Sequence, residues 1–344
     1  MVRLGLLVML AALSGCSVLG SGGCSRTAPV PLVEMPLPPA HGKTLSVDAM
    51  DVDQQAHLVF TADRTLAGVD VVDVSGRTPQ FVTTVPVGAP NGLAVAPDLQ
   101  LVAAALNGGV LAIISTDRSA ATPFAVLRRI ATGGKTADLV GYDAREHRFF
   151  VADPDGGTLY DVDPTGARPP RGIALGAGME QPAWDPNSGQ VLVAGGSYDG
   201  LYEVDPMTDT LLARRPLSSG CNPNGLAINP NAQIALLGCS ARGYQQVLFW
   251  DLRHAKLMRA DREVGAGDLA SYDAVANRFF FAASHFSSGP EVAIFDGSSG
   301  AYQTAVVLPA AANSAVFDEV NRVVYTTDAR PGKGGLFRFT VPAC

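Results

Sequence analysis

Seven polar residues recur at nearly equal spacing: Asp48, Asn91, Asp138, Glu180, Asn224, Asp268 and Asn313, with successive members 43, 47, 42, 44, 44 and 45 residues apart. Four are carboxylic acids and three are amides. If the fold gathers them, the carboxylates must repel one another unless some take up protons or a cation neutralises them. Carboxylate and amide oxygens are also the donors that Ca²⁺ accepts, in a site of roughly six to eight oxygens completed by water. The chemistry expected of a gathered set is therefore binding of Ca²⁺ or another divalent cation. A structural reading competes with it, because Asp and Asn ahead of a tight turn bond their own backbone and a repeat copies such caps into each unit.

A repeat must position these residues. Each heads a segment of one pattern, a short apolar strand, a turn, then a second apolar strand: DAMDVDQQAHLVFTA from Asp48, NGLAVAPDLQLVAAA from Asn91, DLVGYDAREHRFFVA from Asp138, EQPAWDPNSGQVLVA from Glu180, and likewise from Asn224, Asp268 and Asn313. Five residues after each head comes the turn position, Asp53, Ala96, Asp143, Asp185, Asn229, Asp273 or Asp318. A third strand follows once per unit, as in GVDVVDV from Gly68 or EVAIFDG from Glu291, often ending in Asp (Asp73, Asp163, Asp205, Asp251, Asp296). Six units add a fourth strand, and the seventh stops at Cys344 without one. A period in the forties with four strands per unit predicts an all-β fold, a single seven-bladed β-propeller over residues 29–344 with four antiparallel strands per blade. Residues 29–37 (PVPLVEMPL) would supply the missing last strand and remove an exposed edge. The 37 Gly and 24 Pro, poor helix residues, fall between strands as turn punctuation.

The propeller places the seven heads at the start of the innermost strands, in a ring at one mouth of the central channel. The loops after the second strands open on the same face and carry Asp63, Arg64, Asp153, Asp155, Tyr198, Asp199, Arg242, Tyr244, His285, Asp328, Arg330 and Lys333. His285 is the histidine placed near the ring and the candidate general acid or base. Trp184 and Trp250 lie on strand patterns and are expected in the core. GGKT from Gly133 lacks a phosphate-loop glycine at Arg129, and DPDGG from Asp153 has Pro164 where an EF-hand needs Glu, so neither is a site.

The amino end carries an address. Arg3 precedes the apolar run Leu4 to Leu13, whose ten residues fall short of the about 20 that span a membrane. Leu13-Ser14-Gly15-Cys16 resembles the bacterial lipobox, which implies that residues 1–15 are a signal peptide and that Cys16 is lipidated. Residues 16–28 read as a flexible tether. Ser17, rather than Asp, implies by the same resemblance an outer-membrane or surface destination within the cell envelope. Outside the cytoplasm the remaining cysteines form disulfides. Blade geometry pairs Cys24 with Cys344, clasping the closure, and Cys221 with Cys239 on the opposite face. The expected orientation turns the ring away from the membrane. With a net charge of -7 and no Lys/Arg run, nucleic acid is not an expected partner, and the protein is expected to act as a monomer.

PNGLAVAPDLQLVAAA and PNGLAINPNAQIALLG resemble the repeat of the regucalcin/gluconolactonase propellers, whereas YDAREHRFFVAD and FDEVNRVVYTTD resemble YVTN-type and NHL-type repeats. The first resemblance implies a divalent metal at the channel mouth held by residues such as Asn91, Asn224 and Asp268, although that family usually has six blades. Two functions fit. One is a binding scaffold offering the ring-bearing face to a protein or small-molecule ligand. The alternative is a divalent-metal-dependent hydrolase or lyase, lactonase-like, in which a cation on the ring polarises a carbonyl and His285 or a ring carboxylate moves the proton. The residues alone leave open whether the protein is an enzyme.

Overall fold

The computed structural model describes residues 30–217, 220–241, 246–284 and 289–342. Among the described residues there is no α-helix, only seven four-stranded antiparallel sheets and two single-turn 3-10 segments, Pro38–Ala40 and Pro97–Leu99. The turn residues explain why each strand stops where it does. Asp53 Oδ1 accepts the amides of Gln55 and Ala56 at 3.0 and 2.9 Å, and Asn229 Oδ1 accepts those of Asn231 and Ala232 at 2.9 and 3.1 Å. Asp143, Asp185, Asp273 and Asp318 do the same in their blades. Ala96 has no side-chain acceptor, and there the turn is the 3-10 segment begun by Pro97. Asp73, Asp163, Asp205, Asp251 and Asp296 repeat the device after the third strands.

Blade one comprises Val47–Asp53, Leu58–Asp63, Gly68–Asp73 and Gln80–Pro86 from the channel outward. The innermost strands of blades two to six are Pro90–Ala96, Val140–Asp143, Met179–Trp184, Pro223–Asn229 and Ala270–Asp273. Blade seven has Ala315–Asp318, Val323–Asp328 and Gly335–Thr340, then takes its outer strand from the amino-terminal side. Val33–Pro36 pairs antiparallel with Gly335–Thr340, Val33 opposite Arg338 and Pro36 opposite Gly335. The closing strand is thus the expected one, shortened to four residues. Fully buried Leu37 and Met35 anchor it, and the Leu37 amide donates to Gly334 O at 2.9 Å.

Each sheet packs between two others, so the middle strands are apolar on both faces. Leu58–Asp63, Ile234–Cys239 and Val323–Asp328 are buried at every position. Seven clusters of buried side chains fill the seven gaps between neighbouring blades. Phe280 of blade six and Phe317 of blade seven, stacked at 5.7 Å, are one example. Trp250 is buried as expected, and Trp184 is half-buried at the end of its innermost strand. Outer strands such as Thr210–Pro216 alternate between exposed and half-buried positions.

The Cys221–Cys239 disulfide closes a loop of 18 residues on the ring-bearing face of blade five. Cys16, Cys24, Cys344, Arg242, Tyr244 and His285 lie outside the described residues, and with them the Cys24–Cys344 bridge and the lipidation site.

Candidate functional site

The innermost strands do not run straight into the mouth of the channel. In blades one, two, four and five the pairing with the second strand shifts register between Val47 and Met50, Pro90 and Gly92, Met179 and Pro182, and Pro223 and Gly225. The residues inside these bulges include Asp48, Asn91, Glu180 and Asn224. A bulge leaves one residue out of the ladder and re-aims its side chain. Pro90, Pro182 and Pro223, which cannot donate a ladder hydrogen bond, stand at these breaks. In blades three, six and seven the strand begins later, and Asp138, Asp268 and Asn313 sit two residues ahead of it.

The seven side chains form the expected ring, and several of them join across blades instead of capping their own turns. Asn313 Nδ2 donates to Asp48 Oδ1 at 3.0 Å, linking blades seven and one, and Asn224 Nδ2 donates to Asp268 Oδ1 at 2.7 Å, linking blades five and six. Asn91 Nδ2 donates to Ala137 O of blade three at 3.0 Å. The loop residue Arg64 reaches into the ring, pairing with Asp48 Oδ2 and donating to Asn91 Oδ1 at 3.1 Å. It is the internal counter-ion of the mouth. By contrast, no hydrogen bond from a described residue reaches the carboxylates of Asp138 and Glu180.

Among the described residues Arg64 alone pairs with a ring carboxylate, which leaves the ring short of positive charge, and burial compounds the deficit. Glu180 is pushed up to about 8 by burial and then by Asp138, Asp268 and Asp48. Burial, with repulsion from Asp48, carries Asp268 to about 7 despite the Asn224 hydrogen bond. Asp138 rises to about 6 for the same reasons, with Arg64 working against the rise. Asp48 is also raised by burial, although Arg64 and Asn313 oppose it. Near neutral pH the ring thus holds protons that free carboxyls would have lost.

Behind the mouth the channel contains a cavity of about 400 Å³ walled by the innermost strands of all seven blades. The inner edges of those strands need partners for their backbone groups. Side chains from other blades supply them: Gln181 Oε1 accepts the Leu226 and Ala270 amides at 2.9 and 3.2 Å, and its Nε2 donates to Ala270 O at 3.1 Å. Asp51 Oδ2 accepts the Val95 amide at 2.9 Å, and Ser271 Oγ donates to Ala315 O at 2.7 Å. Burial pushes Asp51 up to about 6.

The remaining loop residues expected on this face have structural roles. Asp63 Oδ1 caps the turn that carries Arg64, holding the amides of Thr65 and Leu66 at 2.6 and 3.1 Å. Asp153 gathers the amides of Gly156, Lys135 and Thr136. Asp199 holds the amides of Gly220 and Asn222, and Tyr198 stacks on Tyr202 at 5.4 Å. Asp328 pairs with Arg330, which also reaches Glu34 on the closing strand, with Lys333 nearby at 3.9 Å from Glu34. The Asp155 backbone oxygen accepts from Lys135 Nζ at 3.5 Å.

Sequence reasoning placed Arg64 on the correct loop but missed its role as counter-ion. The signal was available, since a ring of four acids draws in the nearest base. The staples formed by Gln181, Asp51 and Ser271 were missed altogether.

Whether the ring suits a divalent ion depends on its donors. Among the described residues no group of three or more His, Cys, Asp or Glu side chains is gathered closely enough to hold a metal ion. Asp48 and Asp268 already have partners, and the unpartnered oxygens are those of Asp138 and Glu180. These are hard oxygen donors of the type Ca²⁺ accepts, at the heads of the adjacent blades three and four.

Fold and ring together define the class: a seven-bladed β-propeller with an acidic mouth into which Arg64 reaches. No protein-family model matches the chain, and no curated protein does. Solved structures similar to it include a chain of the crystal structure of the mitotic checkpoint complex, with a TM-score of 0.73 over 98% of this chain and 99% of that one. At 12% identity that likeness shows the fold.

Proposed function

We propose that the protein is a lipid-anchored binding scaffold of the cell envelope, at the outer membrane or cell surface, which offers its ring-bearing face to a protein or small-molecule partner. The observation that carries this reading is where the chain enters the propeller. Val33 pairs with Arg338, two residues before the end of the last strand, and the chain runs from there toward the ring at Pro36. A lipid on Cys16, at the lipobox-like string, would be joined there by a tether reaching at most about 60 Å. The acidic mouth then faces outward, with the Asp138 and Glu180 carboxylates free for a partner. Rigid blades with capped loops are a scaffold on which such groups bind without prior ordering.

Two measurements test it. Lipid labelling and membrane partition of wild type against Cys16→Ser must show loss of the anchor in the variant. Cross-linking in intact envelopes must give a partner that Asp138→Lys with Glu180→Lys loses and that Asp98→Lys, on the far face, keeps. A partner indifferent to the mouth refutes the reading.

A second reading, a divalent-metal-dependent hydrolase or lyase of lactonase type, is favoured by the unpartnered Asp138 and Glu180 and by the regucalcin/gluconolactonase-like repeat strings. In it the oxygens of Asp138 and Glu180, completed by water, would hold the ion and a ring carboxylate or His285 would move the proton. The ion's contribution when bound is to polarise a carbonyl oxygen. Metal analysis of the purified protein and turnover of a lactone and ester panel by wild type and Asp268→Ala decide it.

A further inference from the structure

Behind Arg64 lies a second pair of acids that the ring does not use. Asp63 ends the second strand of blade one and Asp70 lies in the third, and both are 0% exposed. The strand register sets Thr61 opposite Asp70 and Asp63 opposite Gly68. Asp63 and Asp70 are therefore diagonal neighbours on one face of the sheet, within reach of each other, and Gly68 puts no side chain between them. Close packing holds that glycine, since a Cβ there would meet Thr84 Cγ2 at 2.6 Å.

The hydroxyls of Thr61 and Thr84 donate to Asp70 at 3.1 and 2.6 Å. Asp63 uses Oδ1 to cap the turn, and its buried Oδ2 has no donor. No cation stands among the groups acting on either carboxyl. The surrounding elements offer none: Gln80–Pro86 and Pro90–Ala96 carry no charged side chain, Asp48 and Arg64 are paired in the mouth, and Asp328 and Arg330 of blade seven pair with one another. Two adjoining buried carboxylates without a cation cannot both ionise, so the pair titrates as a unit and retains one proton.

We propose that the proton shared by Asp63 and Asp70 is a latch: while it is present the turn at 63–68 holds Arg64 on Asp48 and Asn91, and its loss frees the turn and exposes those two residues. The inference rests on the reading of the ring-bearing face as the binding face and assigns that face a control by pH. Two further features agree with it. Burial and the neighbouring Asp63 push Asp70 up to about 7, so the latch works near neutrality. The cap on Thr65 and Leu66 is made by the same carboxyl that shares the proton, which ties charge in the pair directly to the turn.

The test is backbone hydrogen exchange of the full chain, read by mass spectrometry on peptides spanning residues 62–69. After correction for the intrinsic base-catalysed rate, protection should fall by about tenfold per pH unit above about pH 7, the slope for one released proton. Peptides over Ile234–Cys239 should not change. Asp70→Asn, whose amide donates to Asp63 permanently, should keep its protection up to about pH 9. If that variant does not fold, Thr84→Val, which removes a donor to Asp70, should move the midpoint upward. Wild-type protection that is flat with pH, or a fall that Asp70→Asn or Thr84→Val leaves in place, overturns the proposal. The readout needs no partner, so its failure leaves the scaffold reading standing. Conversely, a partner indifferent to Asp138→Lys and Glu180→Lys sinks that reading while the exchange profile still decides the latch.

Discussion

Replacing Glu180 by Gln isolates the electrostatic cost of the ring. Its carboxyl, ordinarily at 4.5, stands at about 8 in the fold. At roughly 1.4 kcal/mol per unit, that difference bounds the stability lost on ionisation at roughly 5 kcal/mol. Two effects lower the figure. Part of the repulsion belongs jointly to Asp138, Asp268 and Asp48, which titrate over the same range, and water in the mouth screens the half-buried group. We take about 2 kcal/mol as the share that Glu180→Gln recovers. The sign follows from the direction of the shift: with the folded value raised, stability is complete below 4.5, declines as pH rises, and is lost once pH passes about 8. Gln is neutral throughout. Wild type and variant should melt together near pH 4, and the variant should melt about 4 °C higher near pH 9, at roughly 2 °C per kcal/mol for a chain of this size. Circular-dichroism melts in chelator at constant ionic strength make the measurement. A difference that does not change with pH, or a variant less stable than wild type near pH 9, refutes the account of the ring as an under-neutralised cluster.

Three other outcomes are expected. Arg64→Ala removes the counter-ion, so its melting temperature should respond to Ca²⁺ more strongly than that of wild type; an equal response argues against cation binding at the mouth. Cys221→Ser should cost about 3 kcal/mol, the loop-entropy value for a short closed loop, and reductant should lower the stability of wild type but not of the variant in urea titrations. Leu37→Ala leaves a cavity beneath the closing strand and should cost about 3 kcal/mol, with limited proteolysis cutting first near residues 30–45.

The blades were legible because their signals are local. Asp53, Asp143 and Asp296 mark turns by bonding amides two or three residues onward, and that chemistry depends on nothing distant. The ring was legible as a set, since the repeat puts one polar head on each innermost strand. The contacts within the ring were not, because they depend on register. Asp48, Asn91, Glu180 and Asn224 lie where the pairing of two strands slips, and a slip exists only once the partner strand is in place. At Asp48 and Asn224 the bulge settles the competition between a local cap and a partner in the next blade, and these two meet Asn313 and Asp268, which lie ahead of their own strands. Arg64 and Gln181 were hidden for a related reason: Arg64 bonds Asp48 and Asn91, 16 and 27 residues away, and Gln181 bonds backbone of two other blades, 45 and 89 residues away.

Closure of the last blade has a consequence for how the protein comes to be folded. Val33–Pro36 and its partner Gly335–Thr340 are separated by about 300 residues of chain. Pairs so far apart in sequence form late, because the intervening loop must be ordered before their contact repays it. Until Val33–Pro36 joins it, the outer edge of Gly335–Thr340 has no partner, and an unpaired strand edge is a template for a second molecule. Completing the seventh blade is thus also the step that makes the protein safe at high local concentration.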